Sequence, residues 1–181
     1  MTRHTLDAAA LRRLKRVANC RADQLVLDIN AVYIVGPNET TKVEALVVVP
    51  EPLAPDRFDE IFPIKVDITR GSERFKTLGE EGFAYRVAAE DVNVIGIDLV
   101  RVAVESSTDD AIPPSTVDEL TTGTNIIDCG VLVHTDRGVL VAYQRHPGFG
   151  FHWGTHHFGA LLSREAALEL VQLPYELVTI A

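Results

Sequence analysis

Two hydrophobic periods organise the chain. At 100° per residue, Ala10, Leu11, Leu14, Val17 and Ala18 fall on one arc. Arg12, Arg13, Lys15 and Arg16 fall on the opposite arc, so residues 5–18 predict an amphipathic helix. Thr5 is its expected N-cap, Asp7 lies in the first turn, and Ala8-Ala9-Ala10 are strong helix formers. Most of the remaining chain predicts strand. Gln24–Val35 is β-branched and aromatic-rich, with Asp28-Ile29-Asn30 near its middle, and reads as two short strands joined by a tight turn. Gly36-Pro37-Asn38 breaks it, and Val43–Val49 is a further strand stopped by Pro50 and Pro52. Pro55–Phe62 fits one or two helical turns with proline at the first position. Ile64–Thr69, Glu73–Leu78 and Gly82–Val87 are each strand-length and separated by glycine-containing turns.

Residues 105–116 (ESSTDDAIPPST) are acidic, rich in Ser and Thr, and contain Pro113-Pro114. They read as a linker between residues 1–104 and 117–181. Beyond it, Ile126–His134 and Gly138–Gln144 flank Thr135-Asp136-Arg137-Gly138, a hairpin signal. An aromatic strand is expected at Phe149–Phe158. Ser163 caps an expected helix at Arg164–Gln172, and Leu177–Ile180 is a last short strand. The order of hairpin, strand, short helix and strand thus occurs twice, a repeat of pattern rather than of identity.

Charge changes this picture. The chain of 181 residues has a formal net charge of −9. Residues 1–21 hold six basic side chains (Arg3, Arg12, Arg13, Lys15, Arg16, Arg21) against the single acid Asp7, a local balance of +5. The other 160 residues therefore carry −14. A basic face on an acidic body points to contact with phosphates, which needs little more than closely spaced cations. No apolar run reaches the roughly 20 residues of a membrane span. Met1–Thr5 lacks the order of a signal peptide. The expectation is a cytoplasmic protein without membrane contact. Cys20 and Cys129 stand far apart with no CxxC partner, and read as two buried or half-buried thiols.

The order of elements resembles that of the DNA sliding clamps. TLDAAALRRLKRVA is similar to the first inner helix of a clamp module, VLDINAVYIVGP to the hairpin after it, and VEALVVVPEPLAPDRFDEIFPIKVDI to the outer strand, second helix and next strand. SERFKTLGEEGFAYRVAAEDV resembles the closing hairpin. GVLVHTDRGVLVAYQRH and FGALLSREAALELVQLPYELVTI resemble the corresponding pieces of a second module. The resemblance implies an α+β fold of two clamp-like modules, each an antiparallel sheet with short helices on one face, the second truncated. It implies a DNA replication or repair accessory protein without catalytic residues or cofactor. Arg12, Arg13, Lys15, Arg16 and Arg21 would face duplex phosphates, and replication or repair proteins would be partners. A ring of six modules takes a homotrimer. Here the second half opens on the short, acidic STVDEL rather than a basic helix, and it ends one strand past its own helix.

A second signal is the histidine-rich run from His146 to Phe158. On a strand, His152 and His156 share a face, and with His146, Asp128 or Asp136 they could hold a divalent transition metal. That defines the alternative reading, a hydrolase-like metal enzyme. In a third reading, Phe149, Phe151, Trp153 and Phe158 form the partner surface of an interaction module, such as a phage accessory or immunity protein.

Overall fold

A computed structural model describes residues 2–28, 31–45, 63–71, 86–105, 124–144, 161–171 and 174–180. In chain order its elements are β1 (Thr2–His4), α1 (Ala8–Val17), β2 (Arg21–Leu27), β3 (Ala31–Val35), β4 (Glu39–Ala45), β5 (Ile64–Arg70), β6 (Arg86–Glu105), β7 (Thr124–Thr135), β8 (Gly138–Tyr143), α2 (Arg164–Leu170) and β9 (Tyr175–Thr179). The class is α+β: strands dominate, with two short helices on a curled open sheet.

The two-strand reading of Gln24–Val35, the hairpin around Asp136-Arg137, the strand from Ile64 and the Ser163 cap are all present. The α1 cap is not Thr5 but Asp7, whose carboxylate accepts from the Ala10 N–H at 2.7 Å. An aspartate serves an N-cap as well as a threonine does, and the helix starts at Ala8, the first of three alanines. The expected helix at 55–62 and the aromatic strand at 149–158 lie outside the described residues.

β2 to β5 form an antiparallel meander, and β2 also pairs with the first part of β6. The second part of β6 pairs with β7 on one edge and β9 on the other. β7 in turn pairs with β8 and, in parallel, with β1. The twenty residues of β6 therefore belong to two sets of strands. The bend between the two sets is held by the β7–β8 turn. Asn93 donates its backbone N–H and its amide to the two Asp136 carboxylate oxygens, at 3.0 and 2.8 Å. Arg137 donates to the carbonyls of Glu90 and Asp91, at 3.2 and 3.0 Å. Asp91 itself has φ +50°, an uncommon conformation for a residue with a side chain.

Two cores result. In the first, Ala10, Leu14, Val17 and Ala18 of the α1 segment pack on buried residues of β2 to β8, including Leu25, Ile34, Ile64, Ile97 and Val133. In the second, on the other face of β6 and β7, Ala167 of α2 packs with Val100, Cys129, Leu132 and Tyr143. Tyr143 is fully buried, and its hydroxyl donates to the Leu170 carbonyl at 2.6 Å, tying β8 to the end of α2. Opposite it stands Gly130, where a Cβ would lie 2.2 Å from the Tyr143 Cβ.

Both cores can be probed by stability. Leu14→Ala, at a position with no exposed surface, is expected to cost about 3 kcal/mol in denaturant unfolding. Gly130→Ala is expected to destabilise as well, because the new methyl group meets backbone-anchored atoms of Tyr143 rather than a movable side-chain end.

Candidate nucleic-acid interface

The apolar arc of α1 fixes where its charges point. Leu14 and Val17 are buried, so Arg12, Lys15 and Arg16 are left exposed on the far side of the helix. None of these three makes an ion pair with an acid among the described residues. Arg13 departs from the sequence expectation. It is half-buried, and its guanidinium donates to the Val66 carbonyl of β5 at 2.7 Å, so it ties helix to sheet. Arg21 also departs: its guanidinium contacts Asp91 at 2.9 Å and Asp23 at 4.0 Å. The Asp91 hydrogen bond and charge raise the pKa of Arg21 and bind it into the bend of β6. Of five expected phosphate-facing residues, three form a free cationic face, and two are committed within the protein.

Three cations elsewhere on the sheet are matched by acids. Lys42 and Lys65 both reach Glu44, at 2.7 and 3.1 Å, and Lys65 also reaches Asp67 at 3.2 Å. Arg101 donates through Nε to Asp128 Oδ1 at 2.7 Å and through Nη2 to Oδ2 at 3.3 Å. Asp128 is only 1% exposed, and it also accepts the Leu6 N–H at 2.8 Å, which joins the approach to α1 to β7. This is a structural use of a residue that the sequence offers as a metal ligand. Asp136, the other carboxylate offered for that role, is held by Asn93. Those hydrogen bonds lower its pKa, so its contribution to the bend is present near neutrality and is lost as the pH falls through the carboxylate range.

His146, His152 and His156, with Phe149, Phe151, Trp153 and Phe158, lie outside the described residues. Among the described residues, no group of three or more His, Cys, Asp or Glu side chains could hold a metal ion, and no helix is long and apolar enough to cross a membrane. Sequence reasoning missed one polar pair: His134 Nε2 lies 2.7 Å from Asp98 Oδ2, across the β6–β7 ladder. The only available signal is a histidine at the end of a hydrophobic strand, with its partner 36 residues away.

Both cysteines are free, Cys20 exposed and Cys129 buried. Burial pushes the Cys129 thiol far up from its ordinary pKa, and its Sγ–H donates to the Val100 carbonyl at 3.4 Å. A thiol reagent is therefore expected to modify Cys20 in the native protein, and Cys129 only after unfolding; equal rates would contradict the packing of β7. Arg101→Ala, which leaves a buried carboxylate without its counter-ion, is expected to cost about 3 kcal/mol in thermal or denaturant unfolding. No family model, curated protein or solved structure matches the chain.

Proposed function

We propose that the protein is a non-enzymatic accessory factor of duplex DNA, touching phosphates through Arg12, Lys15 and Arg16. The observation that carries this reading is the contrast in charge. On a chain of net charge −9, these three cations are exposed, clustered on one helix face and free of acids among the described residues; Arg164 of α2 is also exposed and without an ion pair, whereas Arg21, Lys42, Lys65 and Arg101 are ion-paired. Arg12 stands three and four residues from Lys15 and Arg16, so the side chains are neighbours on one helix face. From Arg12 to Arg16 the axis rises about 6 Å. Along the axis of a duplex, two phosphates of one strand rise by a similar amount, about 3.4 Å each. Such contacts bind without reading bases. The acidic remainder repels DNA and turns this face toward it.

A sliding-clamp-like role is part of the same proposal. It supposes that copies of the chain assemble around the duplex and present outward surfaces to replication or repair proteins. Native mass spectrometry reads this part: a trimer fits six modules per ring, and a monomer overturns the ring while leaving the electrostatic contact to be tested separately.

The phosphate contact is tested by fluorescence anisotropy on a labelled duplex across a salt series. Three contacts predict a log–log slope of about −2.7, from about −0.9 per phosphate. The double variant Arg12→Glu/Arg16→Glu is expected to lose association with unchanged circular dichroism. Binding at parental affinity in that variant would refute the proposal.

A further inference from the structure

A concavity of mixed polar and apolar lining lies on the face of β6 and β7 that bears the second core. It is a cleft of about 350 Å³ whose lining includes Ile95, Gly96, Asp98, His134, Val139 and Arg164. That volume is at the small end of ligand sites. Two features of the backbone shape it. The β6–β7 register shifts between Val94 and Gly96, and Ile95 is left 57% exposed at the rim. A bulge of this kind re-aims side chains and is common beside functional sites. Gly96 is then the cross-strand partner of His134. Having no side chain, it places no Cβ beside the imidazole on the lining of the cleft.

The polar groups have distinct states. The Asp98 carboxylate is an acceptor, so at 2.7 Å it requires the proton on His134 Nε2. This fixes the ring and leaves Nδ1 as its second polar atom. Both side chains are 14% exposed, well shielded yet reachable. Arg164 is exposed and makes no ion pair among the described residues, so its five N–H donors are available. Ile95 and Val139 supply apolar wall.

We propose that this cleft binds a small organic anion, with the Arg164 guanidinium taking its carboxylate or phosphate and the Asp98-oriented His134 making a second polar contact through Nδ1, which accepts from a hydroxyl of the ligand or, when it carries a proton, donates to the oxyanion. The site stands apart from the α1 face, and neither depends on the other. The planar fork of Arg164 matches both kinds of oxyanion, and the walls would accept a short apolar portion.

The test is an imidazole ¹H–¹⁵N spectrum of the full chain, with the His134 signals identified by their loss in His134→Asn. Inorganic phosphate and acetate are titrated separately from pH-matched stocks. A saturable shift of the His134 ring nitrogens is expected with at least one anion. Saturation by phosphate alone assigns a phosphorylated ligand, by acetate alone a carboxylate, and by both an oxyanion site without preference. The shift should vanish in Arg164→Ala, a surface change that leaves both cores intact, and persist in Arg12→Glu/Arg16→Glu. Signals that stay in place with both anions, or that move equally in Arg164→Ala, would overturn the proposal.

Discussion

Strand β6 has to satisfy two sets of neighbours at once. Its first part pairs with β2, and its second is enclosed by β7 and β9. To do this it bends, and the bend is fixed by a small hydrogen-bonded lock: Asp136 on Asn93, Arg137 on two carbonyls, and Arg21 on Asp91. Beyond the bend, Ile97 and Leu99 face the first core while Val100 and Val102 face the second. Both helices take their places from that division, α1 against one core and α2 against the other.

The placement of charge follows from the packing. The buried stripe of α1 leaves only the opposite arc for its cations, and the sheet beside it draws Arg13 inward through the Val66 carbonyl. The cations still exposed and unmatched on this core-anchored helix, among the described residues, are Arg12, Lys15 and Arg16. The His134 cleft arises from a different local cause, the bulge at Ile95 and the absent side chain of Gly96.

The features legible in the sequence are local ones. The helical period of residues 8–17, the turn chemistry of Asp136-Arg137-Gly138 and the Ser163 cap each depend on neighbours within a few positions, and each is present. The longest strand is hidden. Glu90, Asp91, Asn93, Asp98 and Arg101 interrupt its apolar positions, and its register shifts twice against β7, so no clean alternation survives. Non-local pairing is hidden too. The parallel β1–β7 contact, and the bond from Leu6 to Asp128 across 122 positions, leave no periodic trace. The same limit applies to the candidate site. Charge segregation identifies the basic helix, but whether each cation is free or paired depends on distant residues such as Val66 and Asp91.

Contact between the exposed arc of α1 and duplex phosphates can be read residue by residue, by mapping backbone amide shifts of the full chain against a short blunt duplex. Saturable changes are expected, concentrated on Arg12, Lys15, Arg16 and their helical neighbours and fading as salt is raised. Saturable changes confined to other surfaces, or no saturable change at low salt, would contradict a phosphate-binding helix.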